Sequence, residues 1–191
     1  LCGNRKLMKT IFNEEDILEM LRNPDTQKKG FAYVVEEYSE RLYWQIRKMV
    51  YSHDDANDIL QDVFIKAWLN IDKFRGDAKL STWLYKIAIN ESITFINRSK
   101  AKLNLSIDDD DSFLVNKLEG DKYFDGDQAQ LLLQQAVVTL PEKQRLVFQM
   151  KYFNELKYDE MSDILGTSVG ALKASYHHAV KKVEKFLKES N

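Results

Sequence analysis

Apolar residues recur every three or four positions through long stretches of this chain, which is the spacing of one face of an α-helix. Between residues 31 and 51 they are Tyr38, Leu42, Ile46, Met49 and Val50. Glycine and proline, which favour turns, account for only seven and two of the 191 residues. Long helices are therefore favoured over strand-and-turn architectures, and the sequence predicts an all-α fold.

Two further helices are predicted in the first half of the chain. Asp54 and Asp55 suit the beginning of a helix that continues with a broad apolar stripe. The sequence FRGD, at 74–77, then interrupts the helical periodicity. Ser81 is placed to cap a third helix, which runs to about Arg98. These three helices can share one hydrophobic core.

The segment at 103–127 breaks the helical pattern for longer. It contains an Asp run and two Gly-Asp pairs with only scattered apolar residues, which is typical of a linker. Between positions 104 and 127, eight acids and two lysines give a local charge of −6, whereas the rest of the chain sums to +4. We therefore predict two small helical domains, residues 28–102 and 128–189, joined by an acidic flexible linker.

Positive charge is concentrated in two helical segments on either side of this linker. Residues 79–102 carry five bases and one acid, Glu91, and residues 166–188 carry five bases and one acid, Glu184. Two such segments favour two contacts with one polyanion. Ordinary solvated helix faces would give the same charge pattern, so charge alone leaves that alternative open.

The second half contains the spacing of a helix-turn-helix. The sequence YDEMSDIL predicts a short helix, and Gly166 can supply the left-handed residue that ends it. Ser168 can cap the next helix, which begins at Val169. A short helix, a tight turn and a longer basic helix are typical of this DNA-binding motif. A plain corner between two helices has the same spacing, so this alternative also stays open.

Several classes of site find no support in the sequence. Cys2 is the single cysteine, so no disulfide framework is available. His177 and His178 are adjacent and point in different directions on a helix, and His53 lies in the other domain. We therefore predict no metal site, no cofactor, no small-molecule substrate and no enzymatic activity. No apolar run suits a membrane span or a signal peptide, which predicts a cytoplasmic protein.

Three segments together resemble regions 2 and 4 of the extracytoplasmic-function sigma factors, the small group of the bacterial sigma factor family. They are DDANDILQDVFIKAWLNIDKF, FRGDAKLSTWLYKIAIN and LPEKQRLVFQMKYFNELKYDEMSDILGTSVGALKASYHHAVKKVEKFL. The resemblance extends from about Phe31 to Lys188. It implies a transcription initiation subunit that binds core RNA polymerase, recognises the minus-10 and minus-35 promoter elements and helps to melt the downstream one. It also implies an anti-sigma factor as a partner.

The resemblance assigns polymerase binding to the helix after Asp54. Family positions that grip a coiled coil of the large polymerase subunit match Asp58, Gln61, Asp62 and Trp68. Acids at the interface would meet basic partners, and the tryptophan would be a rigid anchor. Solvated acids at the beginning of a helix are the alternative interpretation.

Recognition of the downstream element is implied for the segment around FRGDAKLST, where the family forms a pocket for a flipped base of single-stranded DNA. The residues that match are Lys66 and Phe74 at the pocket or on the DNA backbone, Asn90 and Thr94 as readers of base edges, and Arg98 on a phosphate. Aromatic residues at helical spacing are more often core residues. A core role therefore stays open for Phe74 and is favoured for Trp83.

Recognition of the upstream element in double-stranded DNA is implied for the last helix, which would enter the major groove. The matching residues are Ser168, Lys173, Ala174, His177, His178, Lys181 and Lys182. Many relatives carry arginines where this chain has Ser175, His178 and Val180. Bidentate recognition of guanine is therefore depleted, which favours a larger dependence on DNA shape.

Two other function classes fit part of the sequence. A helix-turn-helix regulator that is not a polymerase subunit would explain the second domain, and a protein-interaction module would need the basic helices to be fortuitous. Both leave the segments DILQDVF and WLYKIA without a role. Binding to core polymerase in the absence of DNA separates a sigma factor from both.

Overall fold

A computed structural model describes residues 13–74, 76, 78–102, 118 and 128–190. Every regular element in these ranges is helical, which confirms the all-α prediction. The α-helices are α1 (Glu14–Arg22), α2 (Gln27–Val50), α3 (His53–Asn70), α4 (Leu80–Lys102), α5 (Gln128–Val138), α6 (Glu142–Phe148), α7 (Tyr158–Leu165) and α8 (Val169–Glu189). A 3-10 turn (Ile71–Lys73) follows α3, and a π-helical turn (Gln149–Phe153) follows α6. Apart from Leu118, the predicted linker lies outside the described residues, as do Arg75 and Asp77 of FRGD.

The helices α2, α3 and α4 form the core of the first domain. The residues predicted for the buried face of α2 are all buried, and Val63 and Leu84 meet them from α3 and α4. Ser52 caps α3 by accepting a hydrogen bond from the Asp55 backbone N–H. Asp54 and Asp55 lie in the first turn of α3, as predicted, where a helix dipole favours negative charge.

Helix α1 was not predicted from the sequence, although its signal is present. Asn13 and Asp16 form a capping box, in which each side chain accepts a hydrogen bond from the backbone N–H of the other. Ile17 and Leu21 are buried against the first domain. The helix therefore belongs to the folded domain, whose predicted boundary at residue 28 would exclude it.

The prediction that Ser81 caps α4 is wrong. The helix begins at Leu80, and Ser81 lies within its first turn. The Leu80 backbone N–H, which has no partner within the helix, donates to Glu14 Oε1 at 2.6 Å. The cap thus comes from a helix 66 residues away in sequence, which no local pattern can indicate.

In the second domain, α5 and α6 pack against α8, and α7 forms the first half of the helix-turn-helix. The guanidinium of Arg145 is buried and donates to the backbone oxygens of Val138 and Leu140, at 2.7 and 3.2 Å. Gly166 has φ +63°, and Ser168 Oγ accepts from the Ala171 backbone N–H at 3.3 Å. The predicted turn and cap are therefore confirmed.

The two domains are packed against each other. Gln149 Nε2 donates to the backbone oxygen of Lys48 at 2.6 Å and to the Tyr51 hydroxyl at 3.0 Å. Tyr51 is buried, and this burial raises its pKa to about 12. Leu118, which is 3% exposed, packs with Tyr51 and Val138 and so joins the linker to both domains.

Candidate nucleic-acid interface

A pocket with both polar and apolar walls lies between the end of α3 and the first half of α4. Its volume is about 290 Å³. One wall is formed by Lys66, Asn70 and Lys73, and the other by Trp83, Ile87, Asn90 and Glu91. We call this the base pocket, because it combines an indole face, an amide and cationic groups, which suit stacking, base edges and phosphates respectively. The structure therefore brings Lys66 and Asn90, two of the predicted downstream-element residues, into one pocket.

Glu91 was not among the predicted site residues, yet it pairs with one of them. Its Oε2 lies 2.6 Å from Lys66 Nζ, and its side chain is only 15% exposed. The carboxylate holds the lysine across the pocket and adds a hydrogen-bond acceptor to the lining. The signal was its position as the one acid in the basic segment 79–102.

Phe74 and Trp83 contribute to both the core and the pocket walls. Their ring centroids are 5.1 Å apart, and both residues are half-buried against the core of the first domain. Trp83 lines the base pocket, and both rings line a second cavity of about 230 Å³. That cavity is closed on its far side by Asp163 and Ile164 of the second domain. Both rings therefore pack against the core and line a cavity at the same time.

The other two residues predicted for the downstream element lie further along α4. The Thr94 hydroxyl donates to the Asn90 backbone oxygen at 2.7 Å. Arg98 is exposed one turn beyond Thr94. Neither lines the base pocket. Both continue the face of α4 on which Asn90 lies.

An exposed face of α3 combines acids and apolar side chains. Asp58, Gln61 and Asp62 are exposed, whereas Trp68 is half-buried with its ring 5.0 Å from that of Phe31. Ile65 and Leu69, which were not predicted, are 57% and 70% exposed on the same helix. We call Asp58, Gln61, Asp62, Ile65 and Leu69 the α3 face. Large apolar residues that remain exposed in a folded domain are typical of interaction surfaces.

The residues predicted to contact the upstream element form a convex ridge on α8. All of them are exposed: Ser168, Lys173, Ala174, His177, His178, Lys181 and Lys182. Leu172, Ala179 and Val183 are buried on the opposite side. The ridge therefore presents two imidazoles and three ammonium groups to solvent, at a spacing that suits a major groove.

The parts of the chain that the structure describes contain neither a metal site nor a membrane span. No group of three histidine, cysteine or acidic side chains there could hold a metal ion. Within the same ranges, no helix is both long and apolar enough to cross a bilayer.

Comparison with known protein families and sequences gives matches in both domains. The family model of Sigma-70 region 2 matches residues 34–102, and that of Sigma-70 region 4 matches residues 130–183. The ECF RNA polymerase sigma factor SigW of Bacillus subtilis is 32% identical over 174 residues, which cover 85% of this chain and 93% of SigW. The RNA polymerase sigma-H factor of Pseudomonas aeruginosa is 26% identical over 196 residues, covering 94% and 96% of the two chains.

Two solved structures share the fold. The sigma factor RpoE, in complex with the anti-sigma factor NepR from Bartonella quintana, matches with a TM-score of 0.65 and 21% identity, covering 84% of this chain and 98% of RpoE. CnrH, in complex with the cytosolic domain of CnrY, matches with a TM-score of 0.67 and 20% identity, covering 92% and 99%.

Proposed function

The chain belongs to the extracytoplasmic-function RNA polymerase sigma factors, and we propose that its domains, residues 28–102 and 128–189, recognise separate elements of one promoter. As a sigma factor it acts in transcription initiation with core RNA polymerase. The family consists of non-catalytic initiation factors, and in this proposal the polymerase supplies all of the chemistry.

The first domain would capture the downstream, minus-10 element after its bases separate. Unpairing costs a few kcal/mol per base, which stacking and hydrogen bonds to base edges must offset. The base pocket supports this role because it places the Trp83 ring and the Asn90 amide around a space of about 290 Å³. Lys66 and Arg98 would contact phosphates, and Phe74 and Thr94 would support the pocket and the exit of the strand. The base pocket is the observation that carries the proposal.

The second domain would bind the upstream, minus-35 element as a duplex. The α8 ridge is exposed along its length, so it can enter a major groove without rearrangement. Lys173, His177 and His178 would face base edges, while Lys181 and Lys182 would contact phosphates. Ser168 would orient the ridge through its cap on α8.

Core polymerase would bind the α3 face together with Trp68. Asp58 and Asp62 lie one turn apart on α3 and are both exposed, which suits a basic partner. Ile65 and Leu69 extend the face with apolar area that a protein partner would bury. The half-buried indole of Trp68 would support this surface from beneath.

The packed domains would have to separate on a promoter. The two elements lie on the order of 60 Å apart along DNA, at about 3.4 Å per base pair. A linker of residues 103–127 can extend to roughly 80 Å, so it can span this distance. Its negative charge would keep it from the DNA and favour a basic channel of the polymerase.

An anti-sigma factor is a further proposed partner, and the cytoplasm the proposed location. RpoE is bound to the anti-sigma factor NepR in its structure, and CnrH to a cytosolic domain of CnrY. The fold that this chain shares with them supports a similar association. Core polymerase and promoter DNA, the other proposed partners, are cytoplasmic in bacteria.

In vitro transcription tests the proposal. Purified core polymerase is incubated with genomic fragments, with and without this chain. We expect start sites that appear only when the chain is added, and their upstream sequences define its promoter. In a parallel pull-down without DNA, we expect the chain to copurify with core polymerase. A helix-turn-helix regulator would give neither result.

A further inference from the structure

We infer that residues 14–27 act as a brace that sets the spacing between the two walls of the base pocket, with Glu14 and Gln27 as positioning residues. The inference rests on the proposed function, because the pocket must bind a base for its spacing to matter. The brace precedes the match to Sigma-70 region 2, which begins at residue 34. It forms hydrogen bonds with Leu80 and Asp72, which precede the wall residues Trp83 and Lys73.

One contact fixes the wall on α4. Glu14 Oε1 accepts the Leu80 backbone N–H at 2.6 Å, where α4 begins. Trp83, the first pocket residue on this helix, follows three residues later. A carboxylate that satisfies the first N–H of a helix also interacts favourably with the helix dipole. Glu14 thereby defines where α4 begins relative to α1.

The second contact fixes the opposite wall. Gln27 Nε2 donates to Asp72 Oδ1 at 2.8 Å. Asp72 lies in the 3-10 turn, directly before the pocket residue Lys73. Glu14 and Gln27 are the two ends of one short segment. Both walls of the base pocket are therefore held in place relative to this segment.

Between these contacts, the brace lies close to the connection that joins the walls. Gly76 has φ +81°, and a Cβ atom built there would lie 3.3 Å from Arg22 Nη2. A side chain at this position would therefore strain the backbone and would have to displace the Arg22 guanidinium.

Gln27 is also the first residue of α2, and α1 packs against this helix. A Cβ atom built at Gly30 would lie only 2.8 Å from Met20 Cβ, so the two helices are in close contact. Within the brace, Thr26 Oγ1 donates to the Met20 backbone oxygen at 2.9 Å. Ile17 and Leu21 are buried in the core. A support that is packed in this way can hold a binding site in a preorganised geometry.

The test uses the holoenzyme reconstituted with core polymerase and the promoter found by transcription. The template carries the upstream element as duplex and the downstream element as a single strand, either matched or with one base substituted. We expect Glu14→Ala and Gln27→Ala each to weaken binding of the matched strand by about three- to tenfold, the scale of one hydrogen bond. Binding of the substituted strand should weaken less, so the discrimination between them falls.

Two variants control for general damage to the fold. Glu14→Gln keeps an oxygen that can accept the Leu80 N–H, and we expect it to recover most of the discrimination. Glu15→Ala removes an exposed acid from the same turn of α1 and should match the wild type. Copurification with core polymerase should be the same for all of these variants.

Two results would overturn the brace. One is wild-type affinity and discrimination in both Glu14→Ala and Gln27→Ala. The other is an equal loss for the matched and substituted strands, because that would indicate a general loss of stability. Asn90→Ala serves as the reference within the pocket. If Asn90→Ala also behaves as wild type, the proposed function of the pocket fails; if it alone is defective, that function stands and the brace does not.

Discussion

The two basic helices present their polar groups in opposite ways. On α4 they line a concave pocket, where Glu91 is mostly buried and pairs with Lys66 across the gap. On α8 they form a convex ridge of exposed side chains above a buried apolar side. A base that has left its stack needs walls on several sides, whereas a duplex admits a helix into its groove. The difference in shape therefore suits the difference between single-stranded and double-stranded promoter DNA.

The largest effect is expected from a substitution that prevents binding to core polymerase, because neither the pocket nor the ridge can then act at a promoter. Asp62→Lys replaces an exposed acid of the α3 face with a repulsive charge. We expect loss of binding to core polymerase, at a cost of several kcal/mol, roughly 2–5 kcal/mol for a close interface pair. Copurification with core polymerase measures it, and circular dichroism checks the fold.

Glu36→Lys is the matched control for that change, because it makes the same charge reversal at an exposed position of α2. It should leave copurification unchanged. If Asp62→Lys still binds core polymerase, Asp62 is not part of the interface, and the assignment of polymerase binding to the α3 face is contradicted.

One substitution on each helix tests whether the pocket binds single-stranded DNA and the ridge binds the duplex. Asn90→Ala should weaken binding to a template whose downstream element is already single-stranded, because the amide would contact bases after melting. Lys173→Ala should weaken binding only when the upstream duplex is present, by about 1–3 kcal/mol if it contacts a base edge. Equilibrium binding of holoenzyme to templates with and without the upstream element measures both.

Equal defects of the two variants on the template without the upstream element would contradict the division between pocket and ridge. Lys143→Ala, an exposed lysine of α6 outside both surfaces, is the control and should bind both templates like the wild type.

A smaller effect is expected from loosening the contact between the domains. Gln149→Ala removes the hydrogen bonds to the Lys48 backbone oxygen and the Tyr51 hydroxyl, a change of about 1–3 kcal/mol. The free chain should then expand in small-angle scattering. It should also bind the downstream strand more tightly, because a weaker domain contact would leave Asp163 and Ile164 beside the Phe74 cavity for a smaller fraction of the time. Gln128→Ala, an exposed change on α5, should do neither.

The smallest effect is expected at the ion pair between Lys66 and Glu91 in the base pocket. Glu91→Gln removes the charge that pairs with Lys66, which frees the ammonium group for a phosphate. For a single strand, one added phosphate contact steepens the dependence of log K on log salt by about 0.7. A salt titration of downstream-strand binding measures the slope. An unchanged slope would show that the Lys66–Glu91 pair does not limit the number of phosphate contacts.

Local signals explain which parts of the structure could be predicted. The turn and cap at Gly166 and Ser168 depend on residues next to each other in sequence, and both predictions are confirmed. The beginning of α4 depends on Glu14, and the domain contact includes Gln149, each far away in the chain from its partner. Patterns within one helix carry no information about such partners.

The same distinction applies to the candidate site. Lys66 and Asn90 were chosen from the family resemblance, and the structure places both in the base pocket. Glu91, Ile65 and Leu69 were missed because helical periodicity ranks residues by burial alone. It does not indicate that an acid will form an ion pair across a pocket or that an apolar side chain will remain exposed.

The packing of Leu118 shortens the part of the linker that separates the two domains. While it is packed against Tyr51, residues 119–127 alone connect the first domain to the second. For a flexible connection, the probability that the two ends meet rises as the length falls, with a power of about three halves, so shortening the predicted linker to residues 119–127 would raise the effective concentration of the second domain at the first roughly fourfold. The packing of one leucine would thus change how often the two domains meet.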